Sequence, residues 1–404
     1  MDREKLSFKS KIAYGGFGAG IGLPSQIAFT SITFFYNTIL GLDATLLGIA
    51  WLIFSFWNAI NDPIFGFIED HTKSEKYGRR IPYIRFGAPL YGLAFIFCWI
   101  PFVNVNSQIA LFFNFFIVLF IFDTLFTILG LINLTLPAEM AITAKERANL
   151  LIYGTVISSI SYIIAFILPL FLLTGPQAPT DPRIFVFVMI IVGTITAEII
   201  FISSYYLKEN KYTQMEDTLP IIQGIKETFK NKPFLVYEVA NFSFTVAQTI
   251  LTTAIYYYAD YLLRLPGLLN SLPLILVFLM IFAFLTVFNK LLRKYDVKKT
   301  FIFAILLIGL GFLLTFFFGW TLYSALVGFI IIGIGFSGYM LINQVIFADI
   351  VDYDEIRTGK RRETTYSGIN ALLTKPGISL ANWLFLLIID SFKFDPDKTI
   401  QEFP

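Results

Sequence analysis

A chain of 404 residues with 14% charged and 56% hydrophobic residues is not composed like a soluble domain, in which about a quarter of the residues are charged. A formal net charge of +2 gives no basis for a nucleic-acid partner. The one cysteine and one histidine, Cys98 and His71, exclude a disulfide framework and a thiolate or histidine metal centre.

The opening stretch, MDREKLSFKSK, is basic and lacks the apolar region and cleavage site of a signal peptide. A helix needs about 20 mostly apolar residues to cross a bilayer core. The sequence offers eleven such spans, at 13–40, 45–69, 86–103, 108–136, 150–174, 184–207, 234–262, 268–289, 300–319, 323–348 and 366–390. Pro24, Pro169 and Pro273 fall inside spans and are expected to bend them. Of the 30 Lys and Arg residues, all but five fall on one side; Arg183, Arg264, Lys393 and Lys398 lie on the other and Lys375 within a span. The excess of positive charge marks the cytoplasmic side, and it puts the N-terminus there. A polar segment at 208–233 is then a central cytoplasmic loop between six spans in 1–207 and five in 234–404. Within it, LPIIQGIKETF is either a short amphipathic surface helix or a solvated linker helix. The expected fold is an all-α membrane protein of two six-helix bundles with the twelfth helix missing. The chain stops at SFKFDPDKTIQEFP, where that helix is due; C-terminal truncation is the expected cause, and a true eleven-span protein is the alternative.

Ionisable side chains inside a span are costly unless paired or hydrated, so each is a functional candidate. In the second span Asn58 and Asp62 are four apart on one helical face, with Asn61 adjacent. Pro63 removes a backbone donor and frees a carbonyl near that face. One carboxylate with amide and carbonyl oxygens suits a small cation, and a single carboxyl equally suits a proton; the competing reading is a pair that packs helices and carries nothing. Lys375 is the one base within a span. It needs a partner, for which Asp62 is the candidate, or else it snorkels to the inner surface. Pro376 beside it is expected to break the helix, as at the discontinuous helices of substrate sites. Asp123, Glu198, Glu238 and Asp260 sit in apolar surroundings without a local partner; the last two lie near opposite ends of one span, where interfacial exposure is expected, and the first two read as cavity or interface residues.

The glycines of GIGFSG, Gly333, Gly335 and Gly338, match a dinucleotide-binding spacing. They lie in mid-span without the strand that motif requires and read as helix-packing residues. The first span's GGFGAGIG reads the same way. No catalytic cluster, Ser/His pair or phosphate-cradling loop stands out, so no enzyme is expected.

Three segments carry a family resemblance. They are WNAINDPIFGFIEDHTKSEKYGRRIPYI in the second span and its following loop, PAEMAITAKERANL after the fourth, and ADIVDYDEIRTGKRRETTYSGINALLTKPG after the tenth. Together they resemble the glycoside–pentoside–hexuronide:cation symporters, the melibiose-permease branch of the major facilitator superfamily, in register along nearly the whole chain. The resemblance implies two rocking bundles and cation-coupled uptake of a sugar or glycoside. It maps a cation site onto Asn58, Asn61, Asp62 and Thr127 with Lys375 nearby. The charges in these loops also suit latches at the inner ends of both halves that break as the halves rock, built from Asp70, Arg79 and Arg80 in one half and from Asp349, Asp352, Glu355, Arg361 and Arg362, with Arg357, in the other. Positive charge that fixes topology is the plainer account, and both can hold.

The chain also departs from the family. An aspartate of the melibiose permeases is replaced here by Asn58, which leaves sodium and proton both open as the coupling ion. Their charged sugar-binding residues fall on Gly22, Gly130 (or Leu129) and the vicinity of Thr155. Galactoside-type recognition is therefore not expected, and another glycoside, a less polar solute or a lysolipid remains open as cargo; a non-transporting receptor on the same scaffold is the other functional class. No cofactor beyond Na+ or H+ is expected. The expected partners are a carbohydrate-like solute and the bilayer, with the protein a monomer in the cell membrane.

Overall fold

The structure is a computed structural model in which residues 6–72, 78, 80–141, 143–174, 182–208, 228–264, 267–358 and 363–395 are described. Eleven long helices carry the fold among these residues. They are α1 (Phe8–Phe34), α2 (Ala44–His71), α3 (Ile81–Phe97), α4 (Gln108–Met140), α5 (Ala144–Leu173), α6 (Pro182–Ser203), α7 (Lys232–Tyr257), α8 (Leu272–Lys294), α9 (Val297–Phe318), α10 (Leu322–Thr358) and α11 (Glu363–Ser391). Their starts follow from local chemistry. Ser7, Asp43, Ser107 and Asn231 each accept a backbone N–H of the first turn of α1, α2, α4 and α7, which satisfies a donor that has no partner within the helix.

Nine of the described helices are long and apolar enough to cross a membrane. The other two are α3, with 17 residues, and α1, whose many Gly, Ser and Thr residues dilute its apolar character. Large apolar side chains point outward, as they do where lipid rather than water is the solvent. On α2 the exposed residues Ile53, Phe56, Ile60 and Ile64 form one stripe while Asn58, Asn61 and Asp62 are buried. Polar inside and apolar outside, this helix has the reverse of a soluble helix's amphipathicity.

The chain divides into two compact units. The first comprises Met1–Leu172, Pro179–Thr218 and Lys375–Pro404, the second Leu173–Ala178 and Leu219–Thr374. The units change over within the polar segment at 208–233, and the chain from Lys375 onward falls with the first unit. Most of the central loop, at 209–227, lies outside the described residues, and with it nearly all of LPIIQGIKETF.

Within the first unit, α3 meets α6 where Gly92 faces Gly193. A Cβ added at Gly92 would lie 2.7 Å from the Gly193 carbonyl oxygen, so only hydrogen fits. Within the second unit, the sequence's reading of GIGFSG as packing glycines is met. A Cβ on Gly333 of α10 would lie 2.7 Å from the Val277 carbonyl of α8, and one on Gly335 2.8 Å from the Ala304 carbonyl of α9. Elsewhere in this unit Phe234, Tyr237, Ile350, Val351, Tyr366 and Ile369 form a buried core cluster. Asn231 both caps α7 and donates to the Tyr366 hydroxyl at 2.8 Å.

Two expectations about proline are corrected. Pro273 sits in the first turn of α8, where its missing N–H costs nothing, and does not bend a span. Pro376 lies inside α11, which runs unbroken from Glu363 to Ser391; neighbouring contacts hold the helix through the lost hydrogen bond. Pro24 and Pro169 do lie within α1 and α5.

Candidate functional site

The polar face of α2 meets α4 and α11 inside the first unit. Asn58, Asn61 and Asp62 lie within one turn, and Asp123 and Thr127 are four apart on α4, so each set faces one way. The Lys375 ammonium of α11 donates to the Asp62 carboxylate and lies 3.5 Å from the Thr127 hydroxyl. Asn61 donates through Nδ2 to Asp123 Oδ2 at 2.5 Å and to Thr127 Oγ1 at 3.0 Å. Asn58 Nδ2 donates to the Lys375 carbonyl at 3.2 Å, anchoring α2 to α11 beside the ion pair.

Burial makes this network expensive to leave incomplete. Asn61 is 0% exposed, Asp123 1% and Asp62 9%. The Oδ1 of Asn61 is buried without a hydrogen-bond partner among the described residues. Trp57 and Phe120, with ring centroids 4.3 Å apart, pack α2 against α4 nearby.

All five residues of the expected cation site are thus brought together, and Lys375 is paired with Asp62 rather than snorkelling outward. A sixth residue joins them. Asp123 seemed isolated in sequence because its partner, Asn61, is 62 residues away. Among the other acids, Glu198 is exposed on α6 and Asp260 half-buried. Interfacial exposure does not describe Glu238. It is 4% exposed, and neither carboxyl oxygen has a hydrogen-bond partner among the described residues.

The three positions offered for solute recognition are uncharged and differ in surroundings. A Cβ on Gly22 of α1 would touch the Tyr162 ring of α5 at 3.6 Å, whereas Gly130 borders open space one turn from Thr127. Thr155 is exposed on α5.

At the expected latch of the first half, Arg80 is the centre of a buried triad. Its Nη1 lies 2.6 Å from Glu69 Oε2 at the end of α2, and its Nε 3.0 Å from Glu139 Oε1 at the end of α4. These acids were overlooked in sequence, although both stand inside the quoted motifs. In the second half Arg357 pairs with Asp354 at 3.0 Å, and this buried aspartate was also overlooked. Asp349 and Asp352 are exposed and Glu355 is half-buried. Arg79, Arg361 and Arg362 lie outside the described residues, as does the side chain of Asp70. One more tether was not anticipated. Lys11 pairs with Glu146 at 2.9 Å, and the Leu6 N–H donates to the same carboxylate at 3.1 Å. The Lys11 hydrogen bond, reinforced by that of Leu6, holds the Glu146 carboxyl below its ordinary range.

An apolar helical bundle that buries a charged and amide-lined network, with open space one turn away, has the make-up of a membrane transporter. The chain belongs to the family described as MFS/sugar transport protein, which it matches over residues 13–403, in agreement with the three loop motifs. It is 30% identical over 175 residues to an uncharacterized symporter of Synechocystis sp., an alignment that takes in 41% of this chain and 32% of that protein. It is 22% identical over 406 residues to the isoprimeverose transporter of Lactiplantibacillus pentosus, covering 96% of this chain and 81% of that one. The fold is similar to that of the xylose transporter of E. coli, with a TM-score of 0.67 at 14% identity over 96% of this chain and 91% of the other. The protein is accordingly a multi-pass membrane transporter and not an enzyme.

Proposed function

We propose that the protein is a cation-coupled symporter of an uncharged, carbohydrate-like solute, working by alternating access in the cell membrane with its N-terminus in the cytoplasm. The observation that carries this reading is the Asp62–Lys375 pair held among Asn61, Thr127 and Asn58 inside membrane-crossing helices. Carboxylate, hydroxyl and amide oxygens are the hard ligands that Na+ prefers, and the same carboxylates can load a proton. Coupling follows if the cation binds one conformation better than the other, because a ligand shifts an equilibrium only by its differential affinity. The symporter and isoprimeverose-transporter relatives support symport and a carbohydrate-like cargo. Gly22, Gly130 and Thr155 supply no charge, which favours a neutral solute.

The test is solute-driven uptake of Na+ or H+ into proteoliposomes, with a panel of neutral glycosides and a lysolipid arm. Accumulation of a glycoside coupled to one ion, abolished by Asp62→Asn, is the expected result. Coupled accumulation that survives Asp62→Asn removes this site from the mechanism, and uptake confined to the lysolipid replaces the proposed cargo.

A further inference from the structure

The Asp62–Lys375 pair raises a difficulty for the function just proposed. A carboxylate and an ammonium in contact neutralise each other, so by themselves they create no demand for a further cation. A cation arriving there would have to displace Lys375. The missing charge is on α4. Asp123 is 1% exposed and reaches the same cluster through Asn61, whose Nδ2 bridges Asp123 and Thr127 at 2.5 and 3.0 Å. Two carboxylates against one ammonium leave a single negative charge in a region where an unpaired charge costs several kcal/mol. The site is then neutral only when it holds one monovalent cation or one proton.

We propose that Asp123 is the second carboxylate of the coupling site and supplies the charge that makes the site require one monovalent cation, Na+ or H+. This deepens the symport reading and rests on it. A separate observation points to a ligand there. Asn61 spends both contacts of its amide nitrogen on Asp123 and Thr127, while its Oδ1 is fully buried with no partner among the described residues. That oxygen, the Thr127 hydroxyl and the two carboxylates are the donors a small cation needs. Among the described residues, the titratable side chains that interact with Asp123 are Asp62 on α2, Lys375 on α11 and Tyr91 on α3. The Tyr91 hydroxyl is engaged, donating to the Ile21 carbonyl at 2.8 Å. The arrangement also accounts for Asn58. The carboxylate absent from that position of α2 is present on the facing helix instead, so the charge count is kept while its position changes.

The relocation can be tested on the purified full chain without knowing the cargo. The readout is the thermal midpoint, titrated with NaCl against choline chloride at fixed ionic strength, and separately with pH. The wild type is expected to show a saturable rise with Na+, or a proton-dependent shift, and Asp62→Asn is expected to lose it. Asp123→Asn is expected to weaken the apparent cation affinity at least tenfold. The double variant Asn58→Asp with Asp123→Asn, which returns the carboxylate to α2, is expected to regain the response. That double variant also serves if Asp123→Asn alone does not fold. A wild type without any cation or proton response sinks the symport reading itself. A wild type that responds, with Asp62→Asn silent and Asp123→Asn unchanged, leaves that reading standing and overturns the role of Asp123. A folded double variant without a response overturns it as well.

Discussion

Arg80 offers the sharpest stability test in the first unit. It precedes the first turn of α3 and joins Glu69 of α2 to Glu139 of α4, with side-chain exposures of 5%, 1% and 9% for the three residues. Because all three are buried, solvent does little to screen them. Arg80→Ala leaves two buried carboxylates without their shared cation, and removing one partner of a buried pair costs about 3–5 kcal/mol. That is roughly a hundredfold to several-thousandfold shift of the folded-to-unfolded ratio. Arg80→Lys keeps the charge but loses the planar fork that reaches two acids at once, so an intermediate loss is expected. Replacing Arg80, Glu69 and Glu139 together by Met removes both ion pairs with their charges and is expected to recover part of the loss, since apolar substitutes for buried ion networks are often neutral or better. The assay is thermal unfolding in detergent, followed by the monodisperse fraction on size exclusion. If Arg80→Ala unfolds with the wild type, or if the triple Met variant is as unstable as Arg80→Ala, the triad does not hold these helix ends together.

Two further outcomes can be checked on the same preparations. The Glu146 carboxyl is held below its ordinary range by Lys11, so its contribution is complete above the unfolded value of about 4.3 and is lost as pH falls through the lower folded value. Amide exchange at Leu6–Lys11, corrected for intrinsic rate, is expected to lose protection on acidification in the wild type and to be low and flat with pH in Glu146→Gln; equal profiles would remove the tether from the account. Gly333→Ala is expected to destabilise by about 1–3 kcal/mol, the usual cost of overpacking, because the added methyl meets the Val277 carbonyl. Gly309→Ala points into open space and is expected to be neutral or to gain up to about 1 kcal/mol from helix propensity. Matching thermal midpoints for the two variants would contradict the close approach of α8 and α10.

The helices were legible because hydrocarbon imposes a length on apolar runs; the caps Ser7, Asp43, Ser107 and Asn231 emerged only with the structure. The behaviour of the prolines was less so. Pro376 reads as a break on local grounds, yet α11 continues through it, since a single missing N–H is tolerated where the helix is held by its neighbours. Pro273 reads as a bend only if the span is begun too early. The membership of Lys375–Pro404 in the first unit has no sequence signature at all, because it depends on which helices α11 touches.

The site was legible to the extent that its residues are spaced on one helix. Asn58 and Asp62 announce a shared face by their spacing of four. Asp123 and Thr127 have that same spacing, but the second was reached only through the family resemblance and the first was judged alone, so the matching face on α4 went unread. Glu69 and Glu139, the partners of the expected latch residue Arg80, were hidden in a different way. Their motifs were noticed, but with several acids in each loop, sequence cannot say which one a given arginine meets. The consequence for mechanism is specific. A charge lost from α2 at Asn58 looks like a loss of cation affinity when the helix is read alone. On the role proposed for Asp123, the second carboxylate of the site stands on the facing helix α4, and a count of carboxylates on α2 alone does not decide whether the transporter is ion-coupled.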